Sequence, residues 1–117
     1  MNELLHYFIE QRAWGNFEQF SLNENSTVKI ITVNEHQAFS LQKHSQRSEF
    51  WKVLSGDGYI THGETREPVE VGKLYRLPCG TLHRMEAEKS PIVFLEIALG
   101  EFDENDIVRL EDKYGRK

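Results

Sequence analysis

"LQKHSQRSEFWKVLSG", residues 41–56, sets a Gln, a His and a Glu at close spacing inside what otherwise reads as two β-strands. Strand side chains alternate between faces. Gln42 and His44 therefore share one face, and Glu49 and Trp51 share a face on the next strand. If that face is the interior, Glu49 points inward, where an unpaired carboxylate is costly. Further along, "PCGTLHRM" delivers His83 just after a turn. Two imidazoles, one carboxylate and one amide oxygen suit a divalent first-row metal. The competing reading is a set of polar groups on the surface, and at this point both stand.

Working outward, the chain reads as β almost throughout. "TVKIITV" is rich in β-branched residues, and "AFSLQKH" and "SEFWKVLS" alternate. "GDG" at Gly56 to Gly58 marks a hairpin turn. "YITHG", "REPVEV" and the apolar "PIVFLEIAL" follow as further short strands. Six or more short strands with turn signals between them predict an all-β sandwich or barrel. Residues 2–12, with Leu4, Leu5, Phe8 and Ile9 on one side, predict a short N-terminal helix. The tail "DENDIVRLEDKYGRK" predicts a short helical turn. The expected organisation is one domain over residues 1–117: an arm at 1–20, a barrel at 25–99 and a tail at 100–117.

Composition narrows the class. Of 117 residues, 38% are hydrophobic and 28% charged, with a net charge of -5, which argues against a nucleic-acid partner. Cys79 is the single cysteine, so no disulfide framework holds the chain, and a cytoplasmic setting is expected. The start "MNELLHYFIEQRAWG" lacks the basic region and apolar run of a signal peptide. No stretch has the length and apolarity of a membrane span, so no membrane partner is expected.

The spacing resembles the cupin superfamily. Gln42, one residue, His44, four residues, Glu49, six residues and Gly56 follow its first motif, with Gln in the first His position and His36 where a leading Gly is usual. Gly72, five residues, Pro78, one residue, Gly80, two residues and His83 follow its second motif, with Ala87 where Asn is usual. "RAWGNFEQF", "SLQKHSQRSEFWKVLSG", "LYRLPCGTLHRME" and "ENDIVRLEDKYGR" further resemble blocks of the cupin domain of type II phosphomannose isomerases, which usually follows a mannose-1-phosphate guanylyltransferase domain. Ala13, Ser45, Gln46 and Phe50 depart from that family's pattern.

The resemblance implies a double-stranded β-helix, or jelly-roll, barrel. It implies a divalent ion (Zn, Mn, Fe, Co or Ni) on Gln42, His44, Glu49 and His83, with no other cofactor site. It implies Glu49 and Arg47 in catalysis, and Arg47, Trp51 and Arg116 on a phosphosugar substrate. The expected reaction is isomerisation of mannose 6-phosphate to fructose 6-phosphate in carbohydrate metabolism and polysaccharide biosynthesis. Alternatives are a non-catalytic metal- and sugar-binding cupin, or another cupin metalloenzyme such as a dioxygenase. A homodimer is expected through a sheet that buries Phe50 and Leu54. Lys43 and Arg84 alternate away from the ligands, Trp14 reads as core or pocket wall, and Cys79 as a small packed residue.

Overall fold

The computed structural model describes residues 3–112. The described residues form eleven strands: β1 (Phe8–Arg12), β2 (Gly15–Gln19), β3 (Ser26–Val33), β4 (Leu41–Lys43), β5 (Arg47–Ser55), β6 (Gly58–His62), β7 (Thr65–Pro68), β8 (Leu74–Leu77), β9 (His83–Ala87), β10 (Ile92–Gly100) and β11 (Val108–Glu111). Two main sheets run in the orders β3-β10-β5-β8 and β11-β4-β9-β6-β7, and β1 and β2 form a separate hairpin. All the pairings are antiparallel. The all-β roll expected from the alternating pattern is what forms. Among the described residues no helix is long and apolar enough to cross a membrane.

The alternation in the sequence becomes an inner and an outer face. Trp51, Val53, Ile60, Leu77, Met85, Ile92 and Phe94 point inward from both sheets and make the main core. Full burial of each such side chain contributes about 1.5–3 kcal/mol. At one end of the roll the inward positions turn polar: His44, Glu49, His83 and Glu96 are all buried. The register brings them together, because Gln42 pairs with His83, Trp51 with Glu96, and Glu96 in turn with Lys29.

Three expectations need correction. Residues expected as an N-terminal helix form β1 of a hairpin. The consecutive Tyr7, Phe8 and Ile9 favour a strand, and cross-strand pairs hold it: Phe8 meets Phe17 edge-on at 5.8 Å and the Tyr7 hydroxyl bonds Glu18. The described part of the tail, residues 100–112, is also not helical, and residues 113–117 lie outside the described residues. A turn at residues 104–105 leads into β11, whose Val108 and Arg109 pair with Lys43 and Gln42, so the roll extends past residue 99. Phe50, expected to meet a second subunit, is 2% exposed because Leu4, Phe20 and Leu74 of its own chain cover it. Leu54 is exposed. Trp14, expected as core or pocket wall, stands at the hairpin tip and is 73% exposed.

His36 shows why the first motif usually begins with glycine. Its φ is 61°, in the left-handed region, and its amide donates to the Glu88 carbonyl. A side chain there costs about 1–2 kcal/mol. Gly56, which closes the same motif, has φ 108°, and a Cβ on it would fall 2.1 Å from the Pro91 carbonyl oxygen. The His36→Gly variant is expected to gain roughly 0.5–1 kcal/mol in urea unfolding, and His36→Ile to lose at least as much, since β-branching disfavours positive φ. A His36→Gly variant that unfolds at lower urea than the native chain would show that the backbone there is not under strain.

Candidate metal centre and pocket

β5 carries Arg47, Glu49 and Trp51 on one face, because residues two apart on a strand point the same way. The Glu49 carboxylate accepts from Arg47 Nε at 2.8 Å on one oxygen and from the Trp51 indole N–H at 3.1 Å on the other. His44, just after β4, approaches to 3.5 Å from Glu49, and His83, the first residue of β9, to 3.9 Å. The potential ligand atoms of His44, Glu49 and His83 all lie within 4.8 Å of one another, and all three residues are buried.

The electrostatics follow from this packing. Burial alone would push the Glu49 carboxyl up, but the neighbouring His83, the Arg47 hydrogen bond and the neighbouring His44 outweigh it and hold Glu49 below the usual carboxylate range. Burial pushes His83 down to about 4, against the pull of Glu49, so its imidazole is neutral near pH 7. Its Nδ1 is buried without a hydrogen-bond partner. His44 Nδ1 donates to the Asp106 carbonyl at 2.7 Å, which leaves Nε2 as the lone-pair nitrogen. That nitrogen accepts from Arg47 at 3.2 Å. Two buried imidazoles, His44 with its Nε2 lone pair turned to the cluster and His83 with an orphaned ring nitrogen, converge with a carboxylate and fit a divalent first-row ion. Gln42 lines the same pocket, and its amide oxygen accepts from the Ser40 hydroxyl at 2.7 Å.

The pocket above this cluster, about 210 Å³, opens between Lys29, Arg47, Phe102, Glu104 and Arg109. Arg47 is fully engaged: besides Glu49 and His44, it donates to the Asp103 carbonyl at 3.2 Å and lies 4.1 Å from the Phe102 ring centroid. Trp51, expected to bind substrate, is 1% exposed, with its ring packed among Phe39, Phe94 and His83, so its contribution is to hold Glu49. Arg116 lies outside the described residues. Arg84 is on the outer face as expected, where it donates to Glu111, and Lys43 is exposed. Cys79 is exposed rather than packed, with its amide donating to the Ser48 hydroxyl.

Several residues of this site escaped the sequence reading. Glu96 is hydrogen-bonded to Glu49, and burial and then the Glu49 charge raise it to about 8, so it is protonated near neutral pH. Its signal was available: a lone acid in the apolar run "PIVFLEIAL". Arg109 reaches the pocket from β11, and its Nε is buried without a partner. Asp106 pins the covering segment. Its carboxylate accepts from the Ser45 amide and hydroxyl and from the Gln46 amide at 2.7–3.2 Å.

Comparison with known proteins fits this architecture. Residues 2–112 match the family described as "Mannose-6-phosphate isomerase C-terminal". The chain is 36% identical over 107 residues to the xanthan biosynthesis protein XanB of Xanthomonas campestris, covering 90% of this chain and 23% of that one. It is 36% identical over 108 residues to the mannose-1-phosphate guanylyltransferase ManC of Salmonella typhimurium, covering 90% and 22%. The chain thus spans less than a quarter of the length of these relatives. A Klebsiella pneumoniae protein with a double-stranded β-helix domain superposes with a TM-score of 0.65 at 16% identity, over 77% of this chain and 78% of that one, and shares the fold. These relatives correct the expected reaction. They are named for guanylyl transfer to mannose 1-phosphate and for xanthan synthesis, not for converting mannose 6-phosphate to fructose 6-phosphate.

Two outcomes test the site. Equilibrium dialysis against Zn or Mn should load roughly one ion per chain, with loading lost in His83→Gln and Glu49→Gln. Full loading in both variants would place the ion elsewhere. Asp106 is held down at about 2 by the amide and hydroxyl of Ser45, then by the Gln46 amide. A depressed carboxyl stabilises above its unfolded pKa, so the pinning of segment 101–107 should be complete above about pH 4 and fade as pH falls toward 2. Amide exchange at Ser45 and Gln46 reports this. Asp106→Asn should show weak protection throughout and no such pH step.

Proposed function

Because the chain belongs to the mannose-6-phosphate isomerase C-terminal family of cupins, we propose that it is a metal-binding sugar-phosphate enzyme module in the supply of activated mannose, with mannose 1-phosphate as its ligand. One observation carries this reading: His44 and Glu49 of the buried His44–Glu49–His83 cluster line a pocket that Lys29, Arg47 and Arg109 also line. A hexose carrying a phosphate offers hydroxyls for a metal floor and an anion for cationic walls. The relatives' names add the sugar, since guanylyl transfer to mannose 1-phosphate requires a protein that handles that compound.

Within this reading His44, Glu49 and His83 hold the ion. When bound, the ion supplies positive charge that polarises ligand oxygens. Trp51 and Arg47 fix both oxygens of Glu49, so the carboxylate does not swing with each ligand. Asp106 fixes the His44 ring through its carbonyl, which sets the nitrogen that faces the pocket. Glu96, carrying a proton near neutral pH, places a neutral hydrogen-bonding carboxyl beside an anionic ligand where a second charge would repel it. Arg109 lines the pocket with a buried, unpartnered Nε, and a guanidinium suits a phosphate oxygen.

Isothermal titration of the metal-loaded chain with mannose 1-phosphate tests the proposal. Binding in the micromolar to millimolar range is expected, weakened about tenfold or more in Glu49→Gln and Arg109→Gln, and much weaker for unphosphorylated mannose. An absence of binding with every divalent ion, or equal binding of mannose and its phosphate, would overturn it.

A further inference from the structure

Lys29 occupies a position that a strand normally reserves for an apolar side chain. On β3, Thr27, Lys29, Ile31 and Val33 are the inward set, while Val28 and Ile30 are 56% and 66% exposed on the outer face. An inward lysine must bring its ammonium to water or to an anion. Lys29 does so by reaching the mouth of the metal pocket. There its ammonium lies 4.1 Å from the Phe102 ring centroid and 3.6 Å from the Glu104 carboxylate.

Arg47 differs. The Arg47 guanidinium is committed to Glu49, His44 and Asp103, and is 6% exposed. The Lys29 side chain is 37% exposed, and Glu104, at 79% exposed, stands beyond hydrogen-bonding range. An ion pair this open contributes little stability. The segment that supplies it is unevenly fastened. Asp106 ties one end to Ser45 and Gln46, and Asp103 is held by Arg47 and by the Asn105 and Asp106 amides, whereas the Phe102 and Glu104 side chains are held by contacts to the two cations.

We propose that Lys29 joins Arg109 in binding the phosphate in this pocket and that Glu104 holds its place, so that a ligand phosphate exchanges for the Glu104 carboxylate and frees the Phe102–Glu104 end of the strap. The proposal deepens the sugar-phosphate reading and rests on it. A phosphate monoester brings about -1.5 to -2 charges and three acceptor oxygens, against a single charge on Glu104. It can therefore make true hydrogen bonds to an ammonium that the carboxylate only approaches. Phe102, stacked on both Lys29 and Arg47, makes the exchange felt across the pocket mouth. Asp106, fastened separately, keeps the base of the strap and the His44 ring in place while the tip moves.

The test is titration calorimetry on the metal-loaded full chain with mannose 1-phosphate, and with mannose as the uncharged control. Lys29→Met should weaken mannose 1-phosphate about tenfold and leave mannose unchanged, and Lys29→Arg should recover most of the loss. Glu104→Gln should tighten mannose 1-phosphate about two- to fivefold, an effect that shrinks as salt screens the competing charge. Native chain that binds the phosphosugar as tightly as Lys29→Met does would overturn the role of Lys29 and leave the proposed function standing. Unchanged affinity in Glu104→Gln would overturn the exchange. Native chain that does not bind the phosphosugar would overturn the proposed function, and this inference with it.

Discussion

A single ionised carboxylate inside the roll, that of Glu49, is the constraint around which the rest is arranged. Burying it without partners would cost several kcal/mol. Strand geometry supplies two of those partners at once, because Arg47 and Trp51 sit two residues to either side on the same face. The other sheet supplies His83, the loop after β4 supplies His44, and β10 supplies Glu96. Five partner side chains, from three strands and one loop, therefore converge on one carboxylate. Breaking any of these contacts leaves a charge or a dipole without a partner in a dry interior, so the polar end of the roll stands or falls as a unit.

Segment 101–107 extends this arrangement to the surface. It places Phe102 against Lys29 and Arg47, and it delivers the Asp106 carbonyl to His44. The same residue thus orients a candidate metal ligand through its backbone and fastens the segment through its carboxylate. Trp51, packed on Phe94, lies against the His83 ring, and Lys29, Arg47 and Arg109 line the pocket beside the cluster.

Much of the roll was legible in the sequence, because period-two alternation in "SEFWKVLS" and turn residues at Gly56 to Gly58 act locally. His44, Glu49 and His83 were legible through their spacing around glycines, which corner geometry demands. Lys29 was hidden because both faces of "TVKIITV" carry apolar residues, so the alternation does not say which face is inside. Asp106 and Arg109 were hidden for another reason: they act on residues more than sixty positions earlier in the chain, and no local pattern encodes such a pairing. The N-terminal segment was misread because Leu4, Leu5, Phe8 and Ile9 recur at helical spacing, whereas Tyr7, Phe8 and Ile9 in succession and the turn at Gly15 make a hairpin. The reaction was misread because motif spacing reports where ligands sit on a fold, not what is done to the molecule they meet.

The pairing of β11 with β4 also sets an order of events in the life of the chain. His44 emerges from the ribosome long before Asp106, yet its ring is oriented only once Asp106 has arrived. Glu96 and the rest of β10 come late as well, and β10 is the strand that joins β3 to β5. Such non-local closure is slow compared with forming hairpins, because the intervening loop must be ordered first. Until that closure the His44 ring lacks its Asp106 partner. The buried cluster takes its final form only when β10 and the Asp106 segment have closed onto the earlier strands.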